Sequence, residues 1–335
     1  METILRLAII GGGSWGTALS IVLAPRFESV RLWVHETDLV ARMRVTRENE
    51  VYLPGLQLPE LVDVSNDLRQ VLDGAGFVLG VMPSRHARRV YTEMLPSIDP
   101  AAILVSATKG LESGTLLRMS QVIEEATASR FAAKVAVLSG PTFAREIASG
   151  EPAAVVIASR DLEIAGQVQA AFSGPTFRLY TNRDTIGVEV GAALKNIIAI
   201  GAGVCQGLGL GNNTRAALIT RGLAEISRLA LAMGGEAPTL AGLAGLGDLV
   251  LTCSGDLSRN RKVGIELAKG RSLSEITAST AMIAEGVETV DAAMALGVKF
   301  GVDLPIIEQM HAVLRLGKAP RDAVRDLMDR SLKGE

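Results

Sequence analysis

Through its first 180 residues the chain repeatedly sets short β-rich runs against helical patterns, and from about Asp184 the strand signal stops. The runs that read as strands are Leu5–Ile10, Val30–Val34, Phe77–Val81, Ile103–Ser106, Lys134–Leu138, Ala154–Ala158 and Phe177–Tyr180. Helical stretches lie between most of them, among them Trp15–Leu23, Glu36–Arg44 and Arg85–Leu95. A strand followed by a helix pairs with the next strand only after the chain has crossed back over the sheet. The expected result is a mostly parallel sheet covered on both faces. Beyond Asp184 come the long helical patterns Thr185–Gln206, Thr214–Met233, Lys262–Ala268, Glu285–Met294, Pro305–Leu314 and Arg321–Leu332. At 335 residues the chain can fill two cores, and no fixed-period repeat or low-complexity segment interrupts it.

Gly11-Gly12-Gly13-Ser14-Trp15-Gly16 follows the first strand and opens the first helix, the setting a dinucleotide-binding turn requires. Gly11 permits the tight turn, Gly13 lets the backbone approach a pyrophosphate, and Gly16 allows close helix–strand packing. The helix N-terminus then offers free N–H groups to phosphate. The same glycines break up the 18-residue charge-free run Leu7–Ala24, which is therefore a strand–turn–helix and not a membrane span or signal peptide. The fold class that follows is an α/β, Rossmann-type dinucleotide-binding domain over residues 1–183, then an all-α substrate domain over residues 184–335. The second strand ends at His35-Glu36. Glu36 suits the ribose hydroxyls of NAD; His35 with Arg42, Arg44 and Arg47 suits the 2′-phosphate of NADP, although the arginines equally read as a solvated helix face.

Lys195 is the only charge between Glu189 and Arg215, and its helical face carries Gly191, Ala192, Ala199 and Ala202, small enough for other segments to pack close. Burial pushes a lysine pKa down from about 10.4 towards neutrality, the condition for proton transfer. The bland alternative is a snorkelling surface lysine. Two strand ends, Thr108-Lys109-Gly110 and Ser139-Gly140-Pro141-Thr142, belong on the side where open α/β sheets bind ligands. Lys109 there reads as a second cation in the cleft, one that would depress Lys195 further, or as an ordinary surface lysine. Asp248, set among Leu246, Leu249, Val250 and Leu251, needs a cationic partner, and Lys195 is the candidate. Ser258 reads as an N-cap with Arg259 and Asn260 in the first turn behind it, an anchor for a small phosphate or else a capped helix with solvated arginines.

Net charge is −2 with no basic block, so nothing points to nucleic acid. Cys205 and Cys253 have no metal-ligand spacing and read as reduced, buried thiols of a cytoplasmic protein; no metal is expected. His35, His86 and His311 offer no acid–base partner in the helical part, which disfavours a histidine-driven dehydrogenase.

Gly11–Ala18 (GGGSWGTA), Asn49–Gly55 (NEVYLPG), Thr108–Gly110 (TKG), Ser139–Glu146 (SGPTFARE), Gly191–Asn196 (GAALKN), Gly245–Cys253 (GLGDLVLTC), Leu257–Arg261 (LSRNR) and Ala284–Gly286 (AEG) occur in that order. Together they resemble bacterial NAD(P)-dependent glycerol-3-phosphate dehydrogenase. The resemblance implies reversible reduction of dihydroxyacetone phosphate to sn-glycerol 3-phosphate for phospholipid synthesis, with Lys195 as acid/base. It implies that Lys109, Gly140, Thr142, Asn196, Asp248, Ser258, Arg259 and Asn260 hold substrate. Gly11, Gly13, Ser14, Trp15, His35, Lys109, Ala144, Arg259, Ile283 and Glu285 would contact coenzyme. Gly12 stands where alanine is more usual, and Thr142 where serine is common. Both NAD and NADP are expected to bind, NADPH being favoured, in a homodimer without a membrane span. The rivals are a β-hydroxyacid dehydrogenase of similar layout, which leaves Leu257–Arg261 without a task, and a nucleotide-sensing regulator, which lacks a visible interaction module.

Overall fold

A computed structural model of the chain describes residues 5–278 and 284–331. Strands β1 (Arg6–Ile10), β2 (Ser29–Trp33), β3 (Val62–Ser65), β4 (Phe77–Gly80), β5 (Ile103–Ser106), β6 (Lys134–Ser139), β7 (Ala153–Ala158) and β8 (Phe177–Asn182) form one sheet in the order β3-β2-β1-β4-β5-β6-β7-β8. Pairing is parallel except between β6 and β7. Central strands such as β4 (FVLG) and β5 (ILVS) are apolar and buried throughout, because helices cover both faces. Alternate residues divide between two cores: Leu7, Ile9 and Leu79 on one side, Ala8, Ile10 and Val78 on the other.

Helices α1 (Ser14–Leu23), α2 (Thr37–Thr46), α3 (Leu68–Leu72), α4 (Ser84–Met94), α5 (Met119–Thr127), α6 (Ala144–Ala148) and α7 (Leu162–Phe172) connect the strands. The antiparallel step has a simple cause. The five residues of α6 span only about 7.5 Å, against about 20 Å for a six-residue strand, so this helix cannot carry the chain back along the sheet. Two sequence readings need correction. The strand β3 was not expected: Asp63 breaks its short apolar run, because β3 is an edge strand with one residue turned to solvent. The second strand ends at Trp33, not at His35-Glu36; Glu36 is already the N-cap of α2.

Past β8 the chain is helical: α8 (Thr185–Gly207), α9 (Asn212–Ala232), α10 (Ala237–Ala241), a π-helical turn (Leu243–Gly247), α11 (Asp248–Ser254), α12 (Arg259–Ala268), α13 (Leu273–Ala278), α14 (Glu285–Phe300), α15 (Pro305–Arg315) and α16 (Pro320–Met328). By length and composition α8 could cross a membrane, but its whole apolar window is buried and α9, α11, α12 and α14 pack around it, so it is the core helix of this part. Where α8 crosses α12 the backbones touch. A Cβ on Gly203 would lie 2.0 Å from the Arg261 carbonyl oxygen, and one on Gly264 1.9 Å from that of Ile200.

Candidate active site

The sheet order reverses between β1 and β4, and the glycine turn sits at that switch point. Gly11 has φ +127°, a conformation that side chains rarely adopt, and a Cβ on Gly16 would fall 1.9 Å from the Gly11 carbonyl oxygen. Gly13, the N-cap of α1, faces open space and supplies no side-chain cap, so ligand atoms can approach the first turn of α1 closely. Ser14 Oγ donates to the Tyr52 carbonyl (2.6 Å), and Trp15 Nε1 is buried without a partner among the described residues. Asn49, wholly buried, pins the following loop to the turn: its Nδ2 donates to Gly12 O (2.7 Å) and Thr17 Oγ1 (2.8 Å). A turn of this form fits the pyrophosphate of a dinucleotide.

In the helical part, Lys195 sits in the middle of α8 and is 4% exposed, which removes the snorkelling alternative. Its Nζ donates to Asp248 Oδ1 (2.5 Å) and Thr252 Oγ1 (2.7 Å). Thr252 in turn donates to the Asp248 carbonyl (2.6 Å), which leaves its lone pair for the lysine. The other carboxylate oxygen of Asp248 takes Lys109 Nζ at 2.8 Å. Lys109 also donates to Gly140 O (3.1 Å) and approaches Thr142 Oγ1 (3.4 Å), so both strand-end loops meet at this point. Close packing makes the meeting possible, since Gly191 on α8 sits against the Ala244 carbonyl of the π-helical turn that delivers Asp248. Burial pushes the Lys195 ammonium down to about 8; Asp248 opposes that shift and Lys109 adds to it. Two lysines on one carboxylate leave one net positive charge in a largely dry site, suited to a developing alkoxide.

Ser258 caps α12 by accepting from Arg261 N (3.3 Å), which puts Arg259 and Asn260 in the first turn. The Arg259 side chain is exposed. Asn260 Nδ2 donates to Asn196 Oδ1 (3.0 Å) and its Oδ1 accepts Gly286 N (3.0 Å), joining α8, α12 and the start of α14. Glu285, half-buried there, is pushed up to about 7 by its surroundings, against the pull of Arg259, Lys109 and Lys195. Ala144 opens α6 beside these loops, while Ile283 lies outside the described residues.

The positions expected to select the coenzyme lie just past β2 and along α2. His35 and Glu36 are exposed at the end of β2, and Glu36 accepts the Tyr52 hydroxyl (2.9 Å). The arginines are occupied: Arg42 by Glu50, Arg44 by the Val64 carbonyl, Arg47 by the Pro59 and Val62 carbonyls. They brace the loop after α2, and of the four basic side chains only that of His35 is left without such a partner among the described residues. Sequence reasoning missed Thr252, Asn49 and a buried Arg118–Glu189 pair. The i,i+4 spacing of Asp248 and Thr252 was a usable signal for the first.

A helix N-terminus without a side-chain cap at the switch point of the sheet, together with a buried acid–base group, is what hydride exchange between a nicotinamide and a carbonyl needs. The fold and site thus define a dinucleotide-dependent oxidoreductase of two-domain architecture. Profiles described as NAD-dependent glycerol-3-phosphate dehydrogenase N-terminus and C-terminus match residues 6–165 and 184–325. The chain is 56% identical over 327 residues to a glycerol-3-phosphate dehydrogenase (NAD(P)+) of Koribacter versatilis, with 97% of each chain covered. To the protein of the same name from Geobacter sp. strain M21 it is 52% identical over 330 residues, covering 98% of each. The crystal structure of glycerol-3-phosphate dehydrogenase from Coxiella burnetii matches at TM-score 0.92 and 40% identity, over 97% of this chain and 99% of that one. The chain belongs to the NAD-dependent glycerol-3-phosphate dehydrogenase family, oxidoreductases that act on a CH–OH group with NAD or NADP.

Proposed function

We propose that the protein exchanges hydride reversibly between NAD(P)H and dihydroxyacetone phosphate, giving sn-glycerol 3-phosphate, with Lys195 as the acid/base. The observation that carries the reading is the buried bridge Lys195–Asp248–Lys109. The nicotinamide coenzyme supplies or accepts the hydride; Gly11, Gly13, Ser14, Trp15, His35, Ala144 and Glu285 would hold it. Lys195, as an ammonium, protonates the alkoxide formed at the ketone carbon, and as a neutral amine takes the hydroxyl proton in reverse. Asp248 orients Lys195 and balances charge, while Lys109, reached by Gly140 and Thr142, adds a cation beside the carbonyl oxygen. Ser258, Arg259 and Asn260, with Asn196 behind them, fix the phosphate, and that remote binding energy orients the carbonyl. Arg259 and Lys109 border the coenzyme as well.

The division between the two domains is drawn at 183/184, where β8 has ended and α8 is about to begin. A cytoplasmic homodimer that binds no nucleic acid completes the reading. The two free, buried cysteines and the net charge of −2 support its first and last parts. The test is loss of nicotinamide absorbance when the protein is mixed with NADPH and dihydroxyacetone phosphate. Lys195→Ala should lower turnover at least ~10²–10⁴-fold with coenzyme affinity nearly unchanged. A variant retaining turnover within about threefold refutes the acid/base role.

A further inference from the structure

The nine residues after Lys109 do not return directly to the sheet. Leu111 pairs with Arg118 in an antiparallel bridge, and Glu112 N donates to the Leu117 carbonyl (2.9 Å), so the segment closes on itself. Its apolar side enters the core of the helical part: Leu111, 2% exposed, joins Val190, Leu194 and Ile197 of α8, and Leu116 packs against the same cluster. Its α/β side is held by Arg88 of α4, which donates two hydrogen bonds to Glu112 (both 2.8 Å). At its end, Glu189 of α8 accepts Ser120 N (2.7 Å), Ser120 Oγ (2.7 Å) and Arg118 Nη1. Glu189, Arg118 and Ser120 are all at most 4% exposed. A buried ion pair is often matched or exceeded in stability by apolar residues of similar volume, so stability alone does not account for charges placed here. Location does. Glu189 stands six residues, about 9 Å, before Lys195 on one rigid helix.

We propose that Glu189 is a positioning residue for the reaction: through Arg118 and Ser120 it ties the loop that carries Lys109 to the helix that carries Lys195, so that both ammonium groups reach Asp248. The inference rests on the roles given above to Lys195 and Lys109. It has a consequence that a merely structural contact lacks. Lys109 opposes protonation of Lys195, so a loosened tie returns the Lys195 ammonium to a higher pH range. Among the described residues, the charged and titratable groups around Lys195 are Asp248 and Cys253 of α11, Lys109 and Glu285, and of these only Lys109 hangs on this tie.

The experiment is the pH profile of ketone reduction for the wild type, Glu189→Gln and the double variant Glu189→Met/Arg118→Met. The double variant keeps an apolar, packed contact should the single change fail to fold. Phe172→Ala, in the aromatic cluster with Phe27 and Phe77, is the control for lost stability. The expected result is a kcat lower by ~10–100-fold, as for a catalytic group misplaced by about 1 Å. The alkaline limb should move up by on the order of one pH unit, with faster amide exchange at Leu111–Arg118. An unmoved limb in a variant whose 111–118 amides do exchange faster overturns the positioning role, as does an equal shift in Phe172→Ala. A wild type without an alkaline limb would overturn the acid/base assignment as well, so the two failures are told apart.

Discussion

Asp248→Asn isolates the role of the shared carboxylate. The substitution keeps size and shape but removes the negative charge 2.5 Å from Lys195 Nζ and 2.8 Å from Lys109 Nζ. With charge centres roughly 4 Å apart and an effective dielectric of about 20, the lost attraction is about 4 kcal/mol. That is roughly three pH units on the Lys195 equilibrium. In the wild type Lys195 sits at about 8, where burial and Lys109 push down and Asp248 pushes up. Without Asp248, burial and Lys109 still push down and only the weaker pull of Glu285 opposes them, so the alkaline limb of ketone reduction should move by up to roughly three pH units towards acid. At pH 7 the ammonium fraction then drops from about nine-tenths to as little as about one-hundredth, and turnover falls by up to ~100-fold, recovering as the pH is lowered. The assay is coenzyme oxidation under saturating ketone from pH 5 to 9, with stability checked at each end. A loss of rate without movement of the limb would assign Asp248 to substrate binding only. A limb that moves to higher pH would refute the electrostatic argument.

Arg259→Ala should raise KM for dihydroxyacetone phosphate far more than that for unphosphorylated dihydroxyacetone at saturating coenzyme, since a charge-assisted contact is worth about 1.5–3 kcal/mol, or roughly 10–150-fold; equal losses on both ketones would remove the phosphate contact and leave Arg259 only its coenzyme or folding role. Glu36→Gln should raise the ratio of kcat/KM for NADPH over NADH by ~10-fold or more, because a carboxylate at the end of β2 would repel a 2′-phosphate bound beside His35; an unchanged ratio in the variant would place Glu36 outside the ribose site.

Several features of the fold could be read directly from the residues. The buried strands announce themselves as apolar β-branched runs, and the glycine turn as a spacing that sterics enforce at Gly11 and Gly16. The meeting of Lys195 with Asp248 was also legible, because a lone charge in an apolar setting demands a partner and each supplied the other's need. What was not legible depends on three-dimensional accidents of path. The strand β3 resembles a loop because its one exposed residue, Asp63, interrupts a run only four residues long. Arg42, Arg44 and Arg47 look like a phosphate clamp in sequence, yet backbone carbonyls and Glu50 claim them. Glu189 and Arg118 lie 71 residues apart, and no periodicity links a helix to a loop at that distance.

In most helix pairs the separation of the axes, some 8–10 Å, is set by whichever side chains lie between them, and it drifts as those are exchanged. The crossing of α8 and α12 has no such adjustable layer, because Gly203 and Gly264 bring peptide planes into direct contact. One helix carries Lys195 and the other opens at Ser258 and Arg259. If those residues act as proposed, the interval between proton donor and phosphate anchor is a gauge cut in backbone. Surrounding apolar residues can vary over evolutionary time without stretching it, whereas a single methyl at either glycine would recalibrate the length of ligand that the enzyme accepts.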